Sequence, residues 1–220
     1  MEEGTVLNPE QWGETVVIKP AGSSGASQGR GIQYLKTENV EYLSPEDFPE
    51  NHVGRFGPMI VQKFIDSGKY PKEHRVLCLF GTPLYSVVFT SSEPRPPARE
   101  KYDLHDPRDL VTSSKVKKFG LGPGSGSTEF VADPDLLKTA STTFEAIPNA
   151  PLHGVDLVKD QKTGKYYVME PNPLGFTWHF SSFFAGQPHP EFQGMRREEQ
   201  FDAFSLAADI LIERTRKEAE

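Results

Sequence analysis

Two pairs of short apolar runs limit what this chain can fold into. Arg75 to Leu79 and Leu84 to Thr90 flank a link containing Gly81-Thr82-Pro83, and Val155 to Val158 and Tyr166 to Met169 bracket Asp160-Gln161-Lys162-Thr163-Gly164. Runs of this length joined by turn residues fold back as hairpins. Parallel neighbours would instead need a crossover of a dozen or more residues. The chain is therefore expected to be α+β with mostly antiparallel sheets rather than alternating βαβ.

Further strands are expected at Thr15 to Ile18, at Ile32 to Leu35 and from Met59 to Ile65. The first is an unbroken β-branched run and predicts a strand buried on both faces. Asn8-Pro9-Glu10-Gln11 reads as a one-turn helix with an Asn cap, stopped by Gly13, and Ser44-Pro45-Glu46-Asp47 as another capped start. Asp133-Pro134 opens a helix with apolar positions 136, 137, 140, 144 and 147. The last helix is expected from about Glu198 to Lys217, with Phe201, Phe204, Ala208, Leu211 and Ile212 on its buried face. Ser91 to Lys101 reads as a loop that pairs with nothing, and Gly120 to Ser127 as a second soft segment.

Composition removes several function classes. The 19 Gly and 19 Pro among 220 residues rule out a helical bundle, and the 36% apolar content is enough for a core. A net charge of −7 provides no cationic field to draw in nucleic acid or an anionic membrane. A lone cysteine excludes a disulfide framework or a zinc–cysteine cluster. No run is long enough to cross a bilayer, and the acidic N-terminus is unlike a secretory signal, so a cytoplasmic location is expected.

Two constellations carry chemistry. After the strand ending in Lys19 come Gly22, Ser23, Ser24, Gly25, Gln28 and Gly29 on the way to Gly31. Such a loop lets backbone amides approach a polyanion without Cβ clashes, and Lys19 adds a point charge. A strand follows it, so neither a P-loop nor a dinucleotide fingerprint fits; a plain hairpin loop fits the composition equally well. The second constellation is Asp156, Glu170 and Asn172. The acids lie on opposite arms of the second hairpin, and Glu170 and Asn172 share a face by strand alternation. Two carboxylates and an amide oxygen are a hard-oxygen set suited to Mg2+; two ordinary surface acids is the plainer reading. Without a metal the acids repel, so neutralising either is expected to hold or raise the melting temperature.

Val17-Ile18-Lys19-Pro20 with its loop, Val61-Gln62-Lys63-Phe64-Ile65, His74-Arg75-Val76, Gly154-Val155-Asp156 and Met169-Glu170-Pro171-Asn172-Pro173, in this order, resemble the ATP-grasp superfamily of carboxylate–amine and carboxylate–thiol ligases. The resemblance covers residues 14–175. It implies two α+β subdomains, 1–66 and 67–220, that grip ATP between them. It further implies that Lys19 and the loop Gly22 to Gly31 hold phosphates, that Gln62, Lys63, Phe64 and Ile65 hold adenine through backbone groups, and that Asp66 contacts ribose. Asp156, Glu170 and Asn172 would hold two Mg2+ ions, with Mn2+ as an alternative, and Arg75 would face the transferred phosphate. The implied substrates are a small-molecule carboxylate and an amine; an ATP-grasp kinase and a non-catalytic ATP sensor are the alternatives. Many members carry an Arg where this chain has Gly154 or Leu174, which leaves the transition-state charge to Arg75 or to Lys115, Lys117 or Lys118. Members also usually carry an N-terminal domain of about 100 residues, so such a domain, or a second copy of the chain in a homodimer, is the macromolecular partner implied. Trp178 and His179 are candidates for the acceptor site, with core packing the commoner role; His153 is assigned to structure.

Overall fold

The computed structural model describes residues 3–21, 31–106, 109, 126–173 and 196–219. The chain divides into two units, Met1–Phe64 with Pro96–Phe119, and Ile65–Arg95 with Gly120–Glu220. A single cut after residue 66 misses the return of the chain to the first unit at Pro96.

The first unit opens with α1, Pro9–Trp12, a single turn whose Asn8 side chain accepts the Glu10 N–H at 2.9 Å. Three strands follow: β1 (Thr15–Pro20), β2 (Gln33–Lys36) and β3 (Met59–Lys63). They form one antiparallel sheet in the order β2-β1-β3. β1 is not buried on both faces. Val16, Ile18 and Pro20 are buried while Val17 and Lys19 are half-exposed, because β-branched residues fit a pleated strand whether one face is covered or two. Val16 and Ile18 pack with Leu7, Leu35 and Val40. Ser44-Pro45 starts only a 3-10 turn, closed by the Asp47 carboxylate on the Ser44 N–H at 2.7 Å.

Ser91 to Lys101 does pair. Arg99 bridges Leu35 in parallel, its N–H donating to the Tyr34 carbonyl at 2.8 Å and its carbonyl accepting from Lys36 N–H at 3.0 Å. Three prolines nearby concealed this, since each removes a ladder donor.

The second unit is built on β4 (Lys72–Leu79), β5 (Thr82–Ser91), β6 (Gly126–Phe130), β7 (Leu152–Lys159) and β8 (Tyr166–Asn172). All neighbours are antiparallel, in the order β6-β5-β4-β7-β8. Both expected hairpins are present. β6 lies partly in a stretch whose glycines and serines predicted only a soft segment.

Helix α2, Pro134–Ala146, covers one sheet face. Leu136 and Ala140 pack there on Val76, Cys78, Val155 and Leu157. Its start is fixed by Asp133, which accepts the Asp135 N–H at 3.0 Å and also takes Lys159 Nζ at 2.9 Å and Tyr166 Oη at 2.8 Å. The helix end is thereby tied to the arms of the β7–β8 hairpin.

The last helix is broken. α3 (Arg197–Gln200) and α4 (Ala203–Glu218) meet at Asp202, whose φ is +49°. The break rotates α4, so Ala203 and Ala207, flanked by Leu206 and Ile210, bury against Leu77, Leu79, Tyr85 and Val87. Phe204, Leu211 and Ile212, expected inside, are each about half-exposed. The helix is apolar over more than half its circumference, so periodicity alone did not select the inner face.

Candidate functional site

β4, β7 and β8 lie side by side, and their register sets Arg75 opposite Asp156 and Asp156 opposite Glu170. Asn172 follows on the same face as Glu170. Leu157 pairs with Val168, so Met169 is an extra residue beside the acids, and the register shift re-aims the end of β8. The contacts follow from this register. Arg75 donates through Nε to Asp156 Oδ1 at 2.6 Å and through Nη2 to Oδ2 at 2.7 Å. Asn172 Nδ2 donates to Asp156 Oδ2 at 2.8 Å and reaches Glu170 Oε1 at 3.4 Å.

Burial divides the three acids of this face. The Asp156 side chain is 5% exposed and the Arg75 side chain 29%, whereas Glu170 is exposed. Burial alone would lower the Arg75 pKa, but the Asp156 carboxylate outweighs it and the net shift is upward. Glu73, which sequence reasoning passed over, precedes Arg75 by two residues on β4 and so points to the same face. Burial and then the Asp156 charge push its carboxyl up to about 7, with Arg75 opposing and Glu170 adding to the rise. The signal for Glu73 was strand alternation from Arg75. Its neighbour His74 points to the other face, edge-on to Tyr166 at 5.2 Å.

The donor set fits Mg2+. Two carboxylates and a side-chain amide, whose oxygen can be turned inward by a flip, offer hard oxygens within reach of one another. No group of three or more His, Cys, Asp or Glu side chains among the described residues is arranged to hold a metal alone. Mg2+ commonly makes up that shortfall with waters and substrate phosphates.

In the first unit, Lys19 pairs with Ile60 and Val17 with Gln62, which puts Lys19 and Gln62 on one face of the three-stranded sheet. Among the described residues β3 has a strand partner on only one side, β1, and Phe64 meets the Tyr34 ring edge-on at 5.5 Å. The division between the units falls at Phe64–Ile65, inside the stretch expected to hold adenine. Asp66 is already engaged, since its Oδ1 accepts the Gly68 N–H at 2.9 Å and Arg95 Nη1 at 2.7 Å. Gly22, Ser23, Ser24, Gly25, Gln28 and Gly29 lie outside the described residues, as do Lys115, Lys117, Lys118, Trp178 and His179. His153 has a structural place: it is buried, its ring nitrogens bonded to the Ala150 carbonyl and the Thr143 hydroxyl, each at 2.9 Å.

The far end of the glycine loop is described. Gly31 has φ +68°, and a Cβ there would sit 2.6 Å from Val53 Cγ2 and 2.9 Å from Pro20 Cγ. Its N–H donates to Asp109 Oδ1 at 2.8 Å and its carbonyl accepts from Tyr102 Oη at 3.0 Å. Gln33 Nε2 adds a bond to Asp109 Oδ2 at 2.9 Å, and the Gln33 amide also exchanges bonds with the Asp103 backbone. Nothing in the sequence signalled Tyr102 or Asp109.

The chain is α+β with two antiparallel sheets, and the solved structures similar to it include the ATP-grasp ligase PsnB, a D-alanine–D-alanine ligase and a D-cycloserine synthetase. The ligase PsnB, solved with a minimal precursor, Mg and ADP, is 14% identical with a TM-score of 0.44, over 78% of this chain and 42% of PsnB. The D-alanine–D-alanine ligase of Bacillus anthracis is 19% identical with a TM-score of 0.48, over 98% of this chain and 61% of the ligase. For the D-cycloserine synthetase DcsG the values are 15% and 0.43, over 74% and 48%. The chain thus spans between two fifths and three fifths of the length of these proteins. No family model matches the chain, and no curated protein gives a significant match. Identities this low leave activity to be argued from the chain's own side chains.

Proposed function

We propose that this chain is the ATP-grasp domain of an ADP-forming ligase that activates a carboxylate as its acyl phosphate for attack by an amine, or less often a thiol. The observation that carries this reading is the hydrogen-bonded set Arg75, Asp156, Glu170 and Asn172 on three adjacent strands. A surface ion pair needs only two of these groups. Here Arg75, Asp156 and Glu170 stand in direct cross-strand register and Asn172 joins them through its hydrogen bond to Asp156, a polar site with one carboxylate more than Arg75 balances.

In this reading a carboxylate oxygen attacks the γ-phosphorus and ADP departs. The amine nitrogen then attacks the acyl carbon, inorganic phosphate leaves and the amine gives up a proton. Asp156, Glu170 and Asn172 would hold two Mg2+ ions, or Mn2+ in their place, which would supply neutralisation of the phosphate oxygens. Lys19 and the loop up to Gly31 bind the phosphates, Gln62 to Ile65 the base through backbone groups, and Asp66 the ribose. Arg75 holds Asp156 in place and presents positive charge to the transferred phosphoryl group. Most of the rate in such a scheme comes from positioning and fixed charge, so few side chains need to act as acids or bases. Both reacting substrates are small molecules.

The test is a screen of carboxylates and amines with Mg·ATP. Release of ADP and phosphate only when both are present supports the ligase. Phosphate retained on a product identifies a kinase. Mg·ATP binding without turnover in any combination, with the full-length protein, refutes the ligase in favour of a sensor.

A further inference from the structure

Gly31 is gripped on both of its backbone polar groups by side chains more than seventy positions further along the chain. Asp109 accepts its N–H and Tyr102 donates to its carbonyl. Asp109 is fully buried, and it shares its second oxygen with Gln33, a buried strand residue just beyond Gly31. Tyr102 is fixed in turn by edge-on packing against Phe48 at 5.9 Å and His52 at 5.8 Å. The tight approach of Gly31 to Pro20 closes the two ends of the glycine loop against each other, one residue from Lys19. Burial, and next the charge of Asp109, raise the Tyr102 pKa, so its hydroxyl stays a donor.

We infer that Asp109 and Tyr102 are positioning residues for Lys19: they fix the Gly31 peptide against Pro20, so that the end of the strand carrying Lys19 is set for ATP before it binds. This rests on the reading of Lys19 and the glycine loop as the phosphate site. Neither side chain need touch the nucleotide. Both act by reducing the ordering that binding would otherwise have to impose.

Tyr102→Phe removes one hydroxyl and keeps the ring packing; Asp109→Asn keeps an acceptor for Gly31 but turns a donor towards Gln33. Mg·ATP affinity is measured by calorimetry for wild type, both variants and Lys19→Ala, at a temperature where melting curves show each to be folded. Loss of a neutral hydrogen bond corresponds to about three- to tenfold weaker binding, and that is the result expected for Tyr102→Phe, with a larger loss for Asp109→Asn. A lowered melting temperature with unchanged affinity in Tyr102→Phe would make the clamp a purely structural pin and overturn the inference. Should Asp109→Asn fail to fold, Tyr102→Phe alone decides. Lys19→Ala separates the two levels. Weaker binding there with wild-type affinity in Tyr102→Phe overturns the clamp only, whereas unchanged binding in Lys19→Ala overturns the phosphate-loop reading and the role of the clamp with it.

Discussion

Neutralising Asp156 and neutralising Glu170 should have opposite effects on stability, although both acids are assigned to one metal. Asp156→Asn removes the anionic partner of Arg75 and weakens two short charge-assisted bonds, 2.6 and 2.7 Å long. Bonds to charged groups contribute about 1.5–3 kcal/mol each. The Arg75 side chain keeps 29% of its exposure, so water recovers part of the loss, and the net cost is set at about 2–3 kcal/mol. For a chain of 220 residues each kcal/mol moves the melting temperature by about 2–4 °C, giving a fall of roughly 4–12 °C. Glu170 is exposed, has among the described residues the 3.4 Å contact from Asn172, and faces a second acid. Glu170→Gln relieves that repulsion and should leave the melting temperature within about 2 °C of wild type, or raise it. Repulsion between the acids alone would predict a rise for both variants; Arg75 reverses the sign for Asp156. Both variants should lose the increase that Mg·ATP confers on wild type. Melting curves in EDTA and in Mg·ATP measure all of this. Asp156→Asn melting at or above wild type in EDTA would refute the account of the Arg75 pair, and an intact Mg·ATP shift in Glu170→Gln would refute the metal assignment.

Two pH effects of opposite sense are expected in metal-free protein. Glu73 has its folded pKa raised to about 7, above the unfolded value near 4.3. Its cost therefore develops as pH rises from about 4.3 to 7, and Glu73→Gln should gain more melting temperature over wild type at pH 8 than at pH 4.5. An equal gain at both pH values would count against a half-buried, repelled carboxyl. Burial lowers the His74 pKa to about 4, so its contribution is present above about 6.5 and is lost as pH falls through 4. Its Nδ1 has no hydrogen-bond partner among the described residues, and His74→Phe, which keeps the ring against Tyr166, should show a smaller acid loss between pH 6.5 and 4. A matching acid loss in that variant would place the titration elsewhere.

The sequence was most informative where local rules determine structure. Turn residues between apolar runs predicted both hairpins, and Asn8 and Asp133 predicted the helix starts they cap. Strand alternation then allowed Glu170 and Asn172 to be read as neighbours on one face and Asp156 to be placed across from them. Reading failed where distance in the chain decides. Arg99 pairs with Leu35, and Asp109 with Gly31, across gaps that no pattern of turns or periodicity encodes. It also failed where a side chain fits two states. β1 is β-branched on both faces and buried on one, and α4 has apolar residues on both its packed and exposed sides. The Arg75–Asp156 pair lay between these cases, since each residue was singled out but their direct register was visible only once β4 was seen beside β7.

The interrupted first unit bears on how the protein is made. Its sheet needs Arg99 beside Leu35 and Asp109 beneath Gly31, yet the ribosome delivers the whole β4–β5 hairpin of the second unit first. At about 5–20 residues per second, the stretch from Phe64 to Asp109 takes roughly 2–9 s to synthesise. Throughout that interval the outer edge of β2 stands open, with the Gln33 amide awaiting the groups that will bury it. Open edges invite pairing with other nascent chains. Gln33 and Lys36, polar residues at the two ends of so short a strand, make it a poor template for such pairing, a safeguard that matters only before the chain is finished.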